Sequence, residues 1–299
     1  MKILLVLTLV VISSCAHKKT NSDSGKQKLK IAFETMEGIM HPESVLYSHE
    51  HKTIFVTNIA SGNPMEKEKK GHLSKLASNG KVLAAKWITG FKAPKGMAIF
   101  GDFLYIADVD RLVVVKISGN KIHHTFPVKG AQFLNDVTVD QNGIVYFSDM
   151  FDPKIYKLEK NKITTFASGT NFPNPNGLKM INNAHLLVGF WGWGVDQKTF
   201  GTKTPGALLA IDLKKPEANV ESLSQSECRG NLDGVDTDNK GNVWVSDWVS
   251  GDVWKVQKNG KSSKMFNFGQ GTADISIAKE LGLLLIPQMN KNKIIAVKI

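Results

Sequence analysis

The chain has 299 residues, 38 Lys and Arg against 27 Asp and Glu, and a formal charge of +11. Arg111 and Arg229 are the only arginines, so the charge is lysine scattered over turns, which argues against a nucleic-acid reader and suits solubility or contact with anionic lipid. Cys15 and Cys228 are the only cysteines, too few for a disulfide framework or a thiolate zinc site once Cys15 is committed to the leader.

In chain order the first element is that leader. Met1-Lys2 is a short positive start, 3–12 an apolar stretch too short to span a bilayer permanently, and Ser13-Ser14 are small residues before Cys15. The run Ile12-Ser13-Ser14-Cys15 resembles the lipobox of bacterial lipoproteins, in which the cysteine becomes the lipidated first residue of the mature chain. The expected organisation is a signal peptide over 1–15, a flexible tether over 16–27 and one folded domain over 28–299. Ala16 after the cysteine favours, by the same resemblance, an anchor in the outer membrane facing the periplasm. An ordinary secretory signal with an incidental cysteine is the alternative, and export follows from either.

Six strand-like apolar runs follow, starting at Thr53, Phe103, Ile144, His185, Asn242 and Gly282 and spaced by 40 to 57 residues. A period of about 40 residues with several short strands per unit is the signature of a β-propeller, each repeat a four-stranded blade. In the third unit LNDVTVD, GIVYFSD, KIYKLEK and KITTFAS alternate as strands, with turns at Asn142-Gly143, Asp152-Pro153 and Asn161-Lys162. The fifth unit copies it. The sixth ends at Ile299 after three strands, so the alternating segment 29–35 is expected to supply the fourth and close the ring. The fold class expected is all-β, a six-bladed β-propeller with its last blade closed by an N-terminal strand, in preference to a two-sheet sandwich.

One position recurs where the inner strands begin. Asn135, Asn176 and Asp233 lie ten residues before Val145, Leu186 and Val243, and Glu43 eleven before Ile54. Around one axis these side chains converge as two carboxylates and two amide carbonyls, a hard oxygen set suited to Ca²⁺, with Mg²⁺, Mn²⁺ or Zn²⁺ as substitutes. Lys95 holds the equivalent place in the second blade, either offering its charge to the site or pointing to solvent. Asp274 opens the sixth inner strand. Long loops at 59–70 and 191–205 belong on the same face, where Trp191 and Trp193 form a candidate aromatic lid and Phe133, Phe190 and Trp248 a candidate rim. Trp244 and Trp254, at alternating strand positions, read as packing between blades, and His123-His124, in an outer strand where adjacent residues face opposite ways, reads as structural.

From PES at 42–44, LND at 134–136, PNGL at 175–178 and LDGVDTDNKGNVWVSDW at 232–248, the chain resembles the calcium-dependent six-bladed propellers of the senescence marker protein, gluconolactonase and luciferin-regenerating enzyme family over about 40–299. The resemblance implies metal ligation by Glu43, Asn176 and Asp233, with Asn135 near metal and substrate, and hydrolysis of a small-molecule lactone or ester. Asp233 is then the implied base, with Asp136 and Asp274 as further candidates. Sugar-lactone members carry an arginine where this chain has Phe133, so the substrate need not be a polyhydroxy lactone. Lys95, Phe133, Trp191, Trp193 and Trp248 are the expected substrate contacts. The expected partners are that small molecule and a membrane reached through Cys15, with no nucleic acid, and the protein is expected to be a monomer. A noncatalytic binding propeller with structural calcium is the alternative, and condensation chemistry of the strictosidine-synthase kind ranks below both.

Overall fold

The computed structural model describes residues 29–169, 172–181, 184–196, 198–215, 220–222 and 228–299. The leader and tether, with Cys15, lie outside the described residues. Six antiparallel sheets form the expected propeller. Blade one runs Pro42–Ser48, Thr53–Asn58, Gly71–Ala77, Val82–Phe91, and blade two Pro94–Phe100, Phe103–Asp108, Arg111–Lys116, Lys121–Pro127. Blade three follows with Leu134–Val139, Val145–Asp149, Lys154–Glu159 and Lys162–Ser168. Blade four has Pro175–Met180, His185–Phe190 and the long Thr202–Asp212, which also pairs with Gly192–Val195, Val220–Ser222 and Arg229–Gly230. Blade five is Leu232–Thr237, Val243–Asp247, Asp252–Val256 and Ser262–Asn267.

Blade six is built from both ends of the domain. Ser276–Ala278, Leu283–Gln288 and Lys293–Lys298 are joined on the outside by Ile31–Thr35, with Ile31 opposite Val297 and Thr35 opposite Ile294. The closing strand starts two residues later than the alternation suggested. Its pairing covers the open edge of the C-terminal strand and ties the chain ends together.

Turn chemistry explains why the strands end where they do. Lys160 and Asn161 adopt left-handed φ of 49° and 62°, the pair of positive angles that a two-residue hairpin loop of matching twist requires. The apolar residues of adjacent blades interlock: Phe55, Leu73, Leu104 and Val113 pack blade one on blade two, and Leu134, Phe147, Leu112 and Val128 pack two on three. Each innermost strand contacts the next, and the sixth returns to the first, so the core is a ring of blade interfaces around a polar axis.

Candidate axial site

The side chains of the site reach the axis because the inner strands are broken in register at one repeated place. Pairing skips 43–44, 95–96, 135–136, 176–177 and 233–234 in blades one to five. A bulge takes a residue out of the ladder and re-aims its side chain. Gly177 and Gly234 allow the close approach that follows, since a Cβ on Gly177 would run into the Asp233 carbonyl and one on Gly234 into the Ile275 backbone.

In blades one, three and five the next strand outward locks the bulge. Thr57 Oγ1 accepts from Ser44 N at 2.8 Å, Ser148 Oγ from Asp136 N at 2.9 Å and Ser246 Oγ from Gly234 N at 2.8 Å. Ser148 and Ser246 in turn donate to the carbonyls of Asn176 and Ala273 on the following blade, both at 2.8 Å. The aspartates after them hold the approach loops: Asp149 accepts from Gln132 N and Phe133 N, and Asp247 from Val249 N and Ser250 N. These Ser-Asp pairs are functional supports that the sequence reading missed; their signal was the repeated SD at 148–149 and 246–247.

Glu43, Asn135 and Asp233 line a cavity of about 50 Å³ together with Lys95, Ile59, Pro64, Phe133, Met150, Trp191, Phe200, Trp248 and Met289. Asn176 is wholly buried beside Asp233. Glu43 Oε2 and both amide atoms of Asn176 are buried without a hydrogen-bond partner. Asn135 Nδ2 donates to Met150 Sδ at 3.8 Å, leaving its carbonyl oxygen available. Buried polar atoms are almost always paired, so orphaned oxygens from blades one and four, with the Asn135 carbonyl and the Asp233 carboxylate beside them, fit a hard cation. Among the described residues no three His, Cys, Asp or Glu side chains gather as a metal-binding group; the set here is two carboxylates completed by two amides.

The charges agree with that fit. Burial, then the nearby Asp233 and Asp274, push the Glu43 carboxyl well above the usual range, and Lys95 offsets part of this. Burial and Asp274 raise Asp233 as well, while the Asn176 amide lies near enough to favour its ionised form without reaching hydrogen-bond geometry. Burial draws the Lys95 ammonium down to about 8 against the pull of Glu43. Its Nζ donates to the carbonyls of Pro64 and Ala93 at 2.9 and 3.0 Å and sits 4.4 Å from the Phe133 ring centre. Lys95 therefore faces the site and not solvent.

Of the other expected residues, Asp136 lies on the axis but beyond the ligand set: its two carboxylate oxygens accept from Val137 N and Leu178 N, both at 2.6 Å, and it lines the cavity at the opposite end of the axis. Asp274 lines that same far cavity and accepts from Ser44 Oγ at 2.5 Å, and burial lifts it to about 7. Trp191, Phe133 and Trp248 line the near cavity, whereas Trp193 is 38% exposed and is not among its walls. Phe190 packs inside blade four, edge-on to Phe172, because its strand position points into the sheet interface. Phe200 takes the rim place and was not foreseen; it follows a stretch of polar loop residues and carries no periodic signal. Cys228 is buried and its thiol is pushed up to about 12, in keeping with a packing role.

Residues 41–278 match the model of the SMP-30/Gluconolactonase/LRE-like region. Among solved structures the chain is similar to a putative gluconolactonase at 13% identity, with TM-score 0.64 over 90% of this chain and 91% of that one. It is similar to a calcium-binding protein, regucalcin, from Agrobacterium tumefaciens at 17% identity, with TM-score 0.61 over 90% and 94%. Virginiamycin B lyase from Staphylococcus aureus shares the fold at 11% identity, with TM-score 0.58 over 91% and 100%. No curated protein matches the chain.

Proposed function

The chain belongs to the SMP-30/gluconolactonase/LRE-like family, and from that premise we propose that it is a calcium-dependent hydrolase of lactones or related esters acting in the near axial cavity. The observation that carries this reading is the set of buried, unpartnered oxygens, Glu43 Oε2 and Asn176 Oδ1, beside Asn135 and Asp233. Each unpaired buried group costs about 1–3 kcal/mol, a cost that evolution seldom leaves without use.

Glu43 and Asp233 would supply the charge of the calcium site, and Asn135 and Asn176 its neutral carbonyl oxygens. Calcium bound there would polarise the ester carbonyl and stabilise developing negative charge on its oxygen. Asp233 lines the cavity and is the residue proposed to accept a proton from the attacking water. Asp136, with both oxygens held by backbone N–H groups, is proposed to position strands and not to move protons. Lys95 gives two of its three protons to Pro64 and Ala93, which leaves one for a substrate oxygen. Trp191, Phe200 and Trp248 exclude water above it.

The test is pH-stat hydrolysis over a panel of lactones by calcium-loaded and chelated protein. Turnover that disappears on chelation and returns with Ca²⁺ supports the reading. Folded, calcium-loaded protein that turns over nothing would instead favour a noncatalytic binding propeller, a reading to which the small volume of the cavity lends weight.

We propose further that Cys15 is lipidated and holds the protein at the outer membrane, facing the periplasm. Ile31 pairs beside Val297, at the end of Lys293–Lys298 away from the cavity-lining Met289. The chain therefore enters the propeller at the end of the axis opposite the near cavity. Incorporation of a labelled fatty acid that is abolished by Cys15→Ala supports the anchor, and labelling that persists removes it.

A further inference from the structure

Resting on the hydrolase reading, we propose that the substrate carries a hydrocarbon substituent, alkyl or aryl, on a lactone or ester without ring hydroxyls, and that this group enters by displacing Phe200. Beyond the oxygen set and Lys95, the cavity wall is apolar, with Phe133, Met150, Trp191, Phe200, Trp248 and Met289 surrounding the space. The polar atom that Trp191 could have offered is spent, since its Nε1 donates to the Phe200 carbonyl at 2.8 Å. A polyhydroxy ring would bury hydroxyls against aromatic faces without partners, which is costly. A hydrocarbon chain loses nothing there and gains contact.

The cavity of about 50 Å³ has room for a few waters, too little to enclose a lactone with its substituent unless one wall yields. Three walls are fixed by backbone bonds to distant residues: Trp191 N to Asn174 O at 2.9 Å, Trp248 N to Asn231 O at 3.1 Å and Met150 N to Phe133 O at 3.0 Å. Phe200 is tied differently. Its N–H bonds within its own turn, to Asp196 O at 2.8 Å, its carbonyl takes the Trp191 Nε1 bond, and its ring meets Trp248 edge-on at 5.7 Å, so the ring can swing out while the backbone bonds stay in place. Its φ of 59° lies in the left-handed region that bulky side chains disfavour. Swinging the Phe200 ring out leaves its carbonyl on Trp191 Nε1 and opens a space of aromatic size in the cavity that Asp233 and Asn135 also line.

The experiment measures kcat/KM of the calcium-loaded full chain for γ-lactones with alkyl groups from methyl to hexyl, against δ-gluconolactone. The expected rise is about fourfold per methylene, the equivalent of about 0.8 kcal/mol each, with gluconolactone at least about a hundredfold below the hexyl lactone. Phe200→Gly, which suits the left-handed φ, is expected to move the optimum to longer chains; if it does not fold, the wild-type series decides alone. Active protein that prefers gluconolactone, or is flat in chain length, overturns the substrate class while the hydrolase reading stands. Protein inactive on every lactone removes the hydrolase reading, and tryptophan fluorescence then decides the cavity's preference. Saturable quenching by the hexyl lactone and not by gluconolactone supports an apolar ligand, and any other pattern overturns it.

Discussion

The two ends of the propeller axis both carry buried acids, yet they differ in what those acids do. At the far end Asp136, Asp236 and Asp274 line a cavity of about 480 Å³, and both oxygens of Asp136 and of Asp236 and one of Asp274 are occupied. Asp236 accepts from Thr237 N and Ile277 N, both at 2.7 Å, and pairs with Lys179 Nζ at 2.6 Å; Asp274 takes Ser44 Oγ. Among the described residues Ser276 Oγ is buried there without a partner. At the near end the cavity is far smaller, and Glu43 and Asn176 are unpartnered. Adjacent residues of one strand, Asn135 and Asp136, fall on opposite sides of this division. The number of buried carboxylates and the size of the cavity therefore say less about chemistry than which oxygens are left uncommitted.

The largest effect should come from removing an uncommitted oxygen. Asn176→Ala or Glu43→Ala is expected to weaken calcium binding by more than about a hundredfold, since loss of mere supporting groups already costs about 10- to 100-fold, and to lower turnover at least as much. Calorimetric titration with Ca²⁺ beside the pH-stat assay reads both. Asp136→Asn, one residue from a ligand, should keep calcium affinity within about tenfold and lose stability instead. Calcium affinity that fell more with Asp136→Asn than with Asn176→Ala would erase the distinction between the two ends.

Next in size is a far-end break. Asp236→Ala would leave the Lys179 ammonium, now held charged by Asp236 with help from Asp136 and Asp274, without its closest partner. A loss of about 3 kcal/mol is expected, most of it from the Thr237 and Ile277 N–H groups left without an acceptor and less from Lys179, whose side chain is 30% exposed, seen as a lower urea midpoint. Lys179→Met in the same chain should restore part of it, because an apolar group at that place needs no counter-charge. A double variant no more stable than the single one would show that the pair is not what holds the far end.

Acid unfolding would blur the comparison unless a contribution away from the axis is separated, and His72 in blade one is the group to test. Burial, with Lys86 near, draws its imidazole down to about 4 from 6.5. Above about pH 6.5 both the folded and unfolded forms are neutral. As pH falls from there towards about 4 the unfolded chain takes up a proton that the fold refuses, so stability is lost across that window, by up to about 3 kcal/mol. His72→Gln should flatten the stability profile between those limits. A profile unchanged by the substitution would place the acid sensitivity on the axis.

Most of the near end was legible in the sequence because it is written as repetition. Glu43, Asn135, Asn176 and Asp233 stand at one offset from their second strands, and that offset is the bulge which turns them inward. Lys95 occupies the same offset, but only the structure shows that it is buried and bonded to Pro64 and Ala93, contacts made by a loop whose path no period encodes. The aromatic lid was half legible for the same reason. Trp191 directly follows a strand and is carried to the cavity with it, whereas Trp193 and Phe200 belong to a hairpin whose twist decides which side faces in, and alternation alone could not place Phe200 inside and Trp193 outside. Phe190 follows strand periodicity faithfully, and that periodicity takes it into the blade interface.

The smallest expected effect has the opposite sign and tests the comparison most directly. If the near-end oxygens are kept uncommitted for a ligand, the calcium-free protein carries a cost that the far end does not. Glu43→Gln keeps the size of the side chain and removes one charge from a buried group that Asp233 and Asp274 disfavour. In chelator the variant should be more stable than the parent by about 1 kcal/mol, the scale of an unsatisfied buried group partly relieved. Saturating Ca²⁺ should then raise the melting temperature of the parent and leave the variant nearly unmoved, since ligand-linked stability follows occupancy. The two curves would cross as calcium is added. A structural acid such as Asp236 cannot give that crossing, because its partners are part of the chain and present under both conditions; parallel curves for Glu43→Gln would place Glu43 among the structural acids as well.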